Sequence, residues 1–167
     1  MSRELHTIAP VYNADSRVLI LGSFPSQKSR ADGFFYAHPR NRFWQVISNI
    51  CGEALPTDTD AKRSLLLRHG IALWDVCAEC DIHASGDASI RDAVANDITP
   101  ILEASLVSRI FTNGAAADKL YKRLLEPLIK ITAVRLPSTS PANAKLTLDK
   151  LCEQWQTIKN FIIDETD

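Results

Sequence analysis

The fold of this chain is decided by the stretch Val18-Leu19-Ile20-Leu21-Gly22, a short apolar run that ends at a glycine. Such a run predicts a buried β-strand. Working outward from it, similar patterns predict strands at 71–76, 110–113 and 130–136. Apolar residues at helical spacing predict helices at 41–51, 58–69, 114–125 and 148–162, and Thr99-Pro100 predicts a further helix start with a threonine cap.

Strands that alternate with helices predict an α/β fold, in which helices cover both faces of a mostly parallel sheet. Residues 22–40 are expected to form a long loop, and 77–96 to be polar and irregular. Ligands of such sheets bind beyond the carboxyl ends of the strands. The pattern therefore predicts a site formed by 22–41, by Asp75 onward and by 137–144.

The composition predicts one globular domain over residues 1–167. The chain is 46% hydrophobic and 23% charged, which excludes a disordered protein. No apolar run approaches the roughly 20 residues needed to span a bilayer. Since the first residues do not resemble a secretory signal, we expect a cytoplasmic protein with four free cysteine thiols.

The charge pattern allows two interpretations. A net charge of −1 is unlike a non-specific nucleic-acid coat protein. A local cluster nevertheless lies within fifteen residues, formed by Lys28, Arg30, Arg40 and Arg42. Such a cluster can bind phosphates, but the charge pattern alone favours a solvated basic loop.

The loop after the first strand is rich in aromatic residues. Phe43 and Trp44 are expected to be core residues at the start of a helix, whereas Phe34, Phe35 and Tyr36 can serve either the core or a binding surface. Long aromatic loops in compact domains are typically functional. Aromatic faces beside arginine and lysine suit stacking on nucleic-acid bases.

Several stretches, taken in order, resemble the uracil-DNA glycosylase superfamily and in particular its hypoxanthine-DNA glycosylase branch. The first motif is carried by Gly22-Ser23-Phe24-Pro25-Ser26 and by Tyr36-Ala37-His38-Pro39-Arg40-Asn41-Arg42-Phe43-Trp44. The remaining motifs are Leu73-Trp74-Asp75-Val76, Ser85-Gly86-Asp87-Ala88-Ser89-Ile90 and Ser138-Thr139-Ser140-Pro141-Ala142-Asn143. Together they extend over nearly the whole chain.

This resemblance implies a three-layer α/β/α fold with a central four-stranded sheet. It also implies an enzyme of base-excision repair that removes a deaminated base from DNA, hypoxanthine being favoured, and leaves an abasic site. Such enzymes flip the target nucleotide into a pocket, because the base–sugar bond is unreachable inside the stack. No cofactor or metal is implied, and DNA is the expected partner of a monomeric protein.

The resemblance places the catalytic asparagine at Asn41. Cleavage of the base–sugar bond passes through an oxocarbenium-like sugar, which is so electrophilic that water needs orienting more than deprotonating. A carboxamide can orient water by hydrogen bonding although it is a poor base. From the residues alone, Asn41 is better explained as the cap of the helix that starts at Arg42, and the two roles are compatible. His38 beside it fits a structural loop residue better than an acid or base.

The resemblance also assigns the residues that surround the base. Tyr36 is expected to stack on it, and Asp75 to accept from the N1–H of hypoxanthine or from the N3–H of uracil. Asp75 fits a loop aspartate held by backbone amides equally well. Phe24 stands where other branches have a water-activating polar residue, which shifts that role to Asn41. The complete set of base-binding residues is Gly22, Ser23, Phe24, Pro25, Tyr36 and Asp75.

The second motif is expected to bind the DNA backbone. Ser138 replaces the histidine that stabilises the leaving base in the best-known branch, and Ser140 is expected to bind a phosphate through its hydroxyl and amide. Ala142 stands at the position of the usual leucine wedge, a role that Asn143 or Lys145 can also fill. The complete DNA-binding set is Ser26, Arg40, Ser138, Ser140, Pro141, Ala142, Asn143 and Lys145.

Other functions remain open at this point. The same fold can act on uracil or on mismatched thymine, and a non-catalytic nucleotide- or DNA-binding domain is the alternative from another class. The pair Cys77 and Cys80 has metal-binding spacing. Because Cys51 and Cys152 are isolated residues in amphipathic helices, core packing explains the four sulfurs better than a metal site does.

Overall fold

A parallel sheet of four strands forms the centre of the computed structural model, which describes residues 2–82 and 90–163. The strands of this sheet and of a second, three-stranded sheet are β1 (Ser2–Leu5), β2 (Val18–Gly22), β3 (Ile71–Asp75), β4 (Cys77–Ile82), β5 (Ile90–Ala95), β6 (Arg109–Asn113) and β7 (Ala133–Leu136). The strand order of the central sheet is β3-β2-β6-β7, and all three pairings are parallel. This confirms the predicted fold class.

Helices cover both faces of this sheet. They are α1 (Gln27–Asp32), α2 (Phe43–Cys51), α3 (Thr59–Arg68), α4 (Thr99–Ala104), α5 (Ala115–Leu124), α6 (Glu126–Ile129) and α7 (Leu148–Trp155), which a 3₁₀ turn follows over Gln156–Asn160. No helix of the described residues is both long and apolar enough to cross a membrane.

Strand β2 divides the core into two parts. Val18 and Ile20 face a cluster that holds the apolar sides of α2, α3 and α7, whereas Leu19 and Leu21 face a cluster with α4 and α5. These four side chains are completely buried. Successive residues of a strand point to opposite faces, so a run without polar residues is what a strand covered on both sides requires.

The expectation that 77–96 is irregular was wrong. Strand β4 starts directly after β3 and pairs antiparallel with both β1 and β5, which makes a second sheet of three strands. The pairing of β4 with β5 shifts register twice, so its apolar residues do not alternate regularly. The motif residues 85–89 lie outside the described residues.

Other expectations need smaller corrections. The loop of 22–40 contains the short helix α1, whose first turn is capped by the Ser26 hydroxyl. Helix α4 starts at Thr99, but the side chain that accepts from the Thr99 N–H is Asp97. The predicted last strand begins only at Ala133, because Lys130 ends α6 in a left-handed backbone conformation (φ +62°) rather than an extended one.

The four cysteines pack in the core or at its margin, as predicted from the isolated positions of Cys51 and Cys152 in amphipathic helices. Cys77 and Cys80 are buried in the cluster around α4 and α5, and Cys152 is buried in the cluster around α2 and α7, where Cys51 packs at the margin. All four are thiols, and burial raises the pKa of Cys80 and Cys152.

A polar cluster joins the last residues of the described chain to the helical layer. His69 binds the Ile163 carbonyl through Nδ1 (2.9 Å) and Glu53 through Nε2. The Arg68 guanidinium contacts the other Glu53 oxygen. Burial alone would raise the pKa of Glu53, but the hydrogen bonds from His69 and Arg68 outweigh it and lower that pKa.

This cluster predicts a specific acid sensitivity. A depressed carboxyl pKa stabilises the fold above the ordinary pKa of glutamate, and that contribution is lost as the pH falls through the lower folded value. We expect Glu53→Gln to lower the free energy of unfolding by about 1 kcal/mol near pH 7, and to reduce the loss of stability on acidification to about pH 3.

Urea denaturation at both pH values tests this expectation. Glu153→Gln is the matched control, because Glu153 is 70% exposed and pairs only with Lys150 (3.4 Å) among the described residues. Identical pH profiles for the Glu53 variant and wild type would contradict the assignment.

Candidate active site

A cavity of about 640 Å³ opens at the carboxyl ends of the parallel strands. Its walls come from the ends of β2, β3 and β6 and from the loop after β7, as the topology predicts. The predicted site residues that line it are Gly22, Ser23, Phe24, Pro25, Ser26, Tyr36, Asn41, Asp75, Ser138, Ser140 and Pro141. Arg40, Ala142, Asn143 and Lys145 do not line it.

Asn41 lines the cavity and also serves the helix that follows it. Its Oδ1 accepts from the Phe43 N–H (2.9 Å), so it satisfies a donor of the first turn of α2, and the helix begins at Phe43 rather than at Arg42. The same oxygen accepts from the Thr139 hydroxyl (2.9 Å). These two bonds use both lone pairs of Oδ1. The Nδ2 amino group is therefore what Asn41 offers to the cavity.

A chain of hydrogen bonds behind Asn41 has only one consistent direction. The Thr139 backbone N–H donates to Asn113 Oδ1 (3.1 Å), which fixes the orientation of that amide. Asn113 Nδ2 then donates to Thr139 Oγ1 (3.0 Å) and to Tyr36 Oη (3.1 Å). Because Thr139 Oγ1 accepts from Asn113, its own hydrogen is left for Asn41. Thr139 is completely buried.

Thr139 and Asn113 were both missed as site residues at the sequence level. A signal existed for Asn113, since it ends a predicted strand at the edge where ligands bind. Thr139 lies inside the second motif, but a threonine between two serines in a loop carries no sign that it will be buried against Asn41.

Tyr36 is held in an uncommon backbone conformation at the cavity. Its φ is +53°, which bulky residues rarely adopt. The ring stacks on Phe43, with 4.1 Å between centroids and 25° between planes. Only the other face of the ring can therefore meet a base. Phe34 and Phe35, which the sequence left open, are core residues with 4% and 2% of their surface exposed.

Asp75 is buried at the end of β3. Its contacts go beyond the two roles considered from the sequence, a base-reading residue and a loop aspartate held by backbone amides. Its Oδ2 lies 2.8 Å from Nε2 of His6, and the two side chains are only 5% and 1% exposed. Its Oδ1 lies beside the neighbouring strand at Gly22, where a Cβ atom would come within 2.3 Å of it. Among the described residues, the donor to this carboxylate is a histidine side chain and not a backbone amide, and no motif around His6 indicated it.

The loop after β7 is held by its own hydrogen bonds. The Ser140 N–H donates to Ser138 Oγ (3.1 Å), so the amide expected to bind a phosphate already has a partner. Asn143 Nδ2 donates to the Ser138 carbonyl (2.9 Å), which ties down one of the two side chains considered as a wedge. Ala142 and Lys145 are exposed.

Much of the predicted basic cluster serves the fold. Arg42 donates to the carbonyls of Leu146 (2.5 Å) and Asn143 (2.9 Å) and so fastens the loop after β7. Arg30 pairs with Glu4 (2.8 Å), and Lys28 pairs with Asp32 (3.2 Å). Arg40 is exposed, and only its backbone contacts His38. The cluster is therefore not a continuous phosphate-binding surface.

The fold is that of a three-layer α/β protein with a cavity at the carboxyl ends of its parallel strands. Residues 9–160 match the family described as the Uracil DNA glycosylase superfamily. The chain therefore belongs to that superfamily and is a DNA glycosylase, an enzyme of base-excision repair.

Two curated proteins and a solved structure are similar to the chain. Hypoxanthine DNA glycosylase of Methanosarcina acetivorans is 33% identical over 89% of this chain and 93% of that protein. Its namesake from Methanosarcina barkeri is 30% identical over 81% and 86%, respectively. The solution structure of a candidate uracil DNA glycosylase from M. acetivorans superposes with a TM-score of 0.77 at 28% identity, covering 91% of this chain and 94% of that one.

The close approach at Gly22 gives a test of the site. In Gly22→Ala the new methyl group would meet Asp75 Oδ1 at 2.3 Å and Tyr36 Oη at 2.9 Å. We expect a folded protein in which Asp75 is displaced, so that base excision falls by about 100-fold. Thermal denaturation and a single-turnover excision assay measure both effects, and near-wild-type excision would contradict the packing described here.

Proposed function

We propose that this glycosylase removes hypoxanthine from DNA and uses Asp75 to recognise it. The observation that carries the proposal is the position of Asp75 Oδ1, a buried acceptor that lies beside Gly22 in the wall of the cavity. A carboxylate oxygen there accepts the N1–H that hypoxanthine has and adenine lacks. The names of the two similar curated proteins agree with this substrate.

The cavity suits a flipped purine nucleotide. Its volume of about 640 Å³ lies within the range of pockets that enclose a small organic ligand. The Tyr36 ring and the buried ring of Phe24 offer aromatic surface, and backbone groups of 22–25 border the base. Uracil also carries a ring N–H from which Asp75 can accept a hydrogen bond. The enzyme must therefore distinguish uracil from hypoxanthine by the size of the base.

In the proposed mechanism Asn41 positions the attacking water. As the base–sugar bond breaks, its electron pair leaves with the base and the sugar becomes an oxocarbenium-like cation. The Asn41 Nδ2–H donates to one lone pair of the water oxygen. The second lone pair of that oxygen attacks the sugar carbon. The attacking water then loses a proton to solvent and the departing base gains one from solvent, so the products are the neutral free base and an abasic site. No lysine is assigned to attack the sugar.

The DNA backbone would lie across the rim of the cavity. Ser26 and Ser140 are expected to contact phosphates through their hydroxyls, Arg40 through its exposed guanidinium and Lys145 through its ammonium. The loop that meets the DNA strand is formed by Ser138, Pro141, Ala142 and Asn143. The mechanism uses no metal or cofactor, and we propose that the protein acts as a monomer in the cytoplasm.

An excision assay tests the substrate assignment. Oligonucleotides of one sequence that carry hypoxanthine, uracil, xanthine or mismatched thymine are incubated with excess enzyme. We expect hypoxanthine to be removed fastest and Asn41→Ala to lower that rate by about 100-fold while DNA affinity is kept. Faster removal of another base would overturn the hypoxanthine assignment, and no removal of any base would overturn the proposed function.

The buried threonine behind Asn41 gives a second test. Thr139→Val keeps the shape but removes the hydroxyl that orients the Asn41 amide, so the excision rate should fall by about 10-fold. Thr139→Ser restores the hydroxyl and should recover most of the rate. Single-turnover rates at saturating enzyme measure this. Equal rates for the valine and serine variants would show that the hydroxyl does not act on Asn41.

A further inference from the structure

His6 lies behind the cavity, outside every motif of the superfamily resemblance, and contacts a residue of the site. We infer that His6 is a positioning residue, which fixes Asp75 as a hydrogen-bond acceptor and thereby makes the site select bases that present a ring N–H. This inference rests on the proposed function, because it assigns to His6 the orientation of the residue that recognises the base.

The protonation pattern of the His6 ring follows from a backbone contact. The Ile8 N–H donates to His6 Nδ1 (3.2 Å), so Nδ1 carries a lone pair. The ring hydrogen is then on Nε2, which lies 2.8 Å from Asp75 Oδ2. His6 therefore donates and Asp75 accepts. With Oδ2 occupied, Oδ1 is the oxygen that Asp75 presents beside Gly22.

Aromatic side chains hold the His6 ring in place. It meets the edges or faces of Phe24, Phe35 and Trp74 at centroid distances of 5.9, 6.2 and 6.0 Å. Its side chain is 1% exposed. The Trp74 indole N–H donates to the Ile8 carbonyl (3.0 Å), which fastens the same backbone segment that fixes the ring hydrogen. A ring enclosed in this way cannot turn its donor away from Asp75 without repacking.

This arrangement has a chemical consequence for base selection. Hypoxanthine differs from adenine at the ring nitrogen N1, which bears a hydrogen in the first base and a lone pair in the second. An acceptor held at Asp75 favours the first and repels the second. If position 75 carried an amide, the His6 donor would attract the amide oxygen and turn the amino group toward the cavity. Asp75→Asn should therefore reverse the preference of the site, which would then favour bases with a lone pair on that ring nitrogen over bases with a hydrogen there.

A double-mutant cycle tests the coupling between the two residues. His6→Phe keeps an aromatic ring for Phe24 and Trp74 but removes the donor, and we expect it to slow hypoxanthine excision by about 10-fold. In an Asp75→Ala background the same change should have little further effect, because its target is gone. His6→Gln restores an N–H donor and should recover much of the rate.

Val11→Ala is the matched control for simple destabilisation. Val11 belongs to the same N-terminal segment, is 1% exposed and pairs with Leu73 of β3 without belonging to the site. This variant should lower the melting temperature while keeping the excision rate below that temperature. Independent, multiplying effects of His6→Phe and Asp75→Ala would overturn the inference, as would a His6→Gln variant as slow as His6→Phe.

Nitrogen-15 NMR of the His6 ring separates this inference from the proposed function. In protein without DNA, we expect a protonated Nε2, an unprotonated Nδ1 and an Nε2–H resonance that shifts in Asp75→Ala. A ring with its hydrogen on Nδ1 would overturn the inference even if hypoxanthine is excised. If the wild-type His6 ring carries its hydrogen on Nε2 but the protein removes no hypoxanthine, the proposed function is overturned instead. The assignment of base selection to Asp75 then falls as well.

Discussion

The site depends on the parallel pairing of β2 with β3, which places Gly22 opposite Asp75. Because Gly22 has no side chain, the Asp75 carboxylate and the Tyr36 hydroxyl can approach the end of the central strand. Parallel strands end at one edge of a sheet, so the same edge also receives Asn113 and the loop that follows β7. The chemistry of the site is thus set first by backbone register, and only then by the nature of the side chains.

Backbone amides also decide which way the polar side chains point. The Phe43 and Thr139 N–H groups fix the amides of Asn41 and Asn113, and the Ile8 N–H fixes the ring hydrogen of His6. Donors that belong to the main chain cannot be reversed by rotation of a side chain. The site is therefore preorganised before DNA arrives, which is the condition under which aligned donors and acceptors contribute most to catalysis.

The sequence predicted the central sheet well, because a strand buried on both faces needs an unbroken apolar run such as Val18 to Leu21. It predicted the second sheet badly, since the bulges of β4 and the half-exposed residues of β5 remove the alternation that marks a strand. For the site, motif resemblance predicted residues that line the cavity, among them Asn41 and Asp75. It missed Asn113 and Thr139, which also line the cavity, and His6, which contacts Asp75. The contacts of these three residues depend on tertiary packing that no local pattern encodes.

Arg42 links the two motif segments into one mechanical unit. Its guanidinium fastens the loop after β7 through the Asn143 and Leu146 carbonyls, and its own N–H donates to the Thr139 carbonyl (3.1 Å). Asn41 precedes Arg42 in the chain and accepts a hydrogen bond from the Thr139 hydroxyl. The carbonyls in these Arg42 contacts are supplied by any residue, so an exchange of side chains in the second segment leaves the bonds intact. The Thr139 hydroxyl is different: a chimaera whose imported segment lacks a hydroxyl at that position would leave Asn41 Oδ1 with one donor fewer.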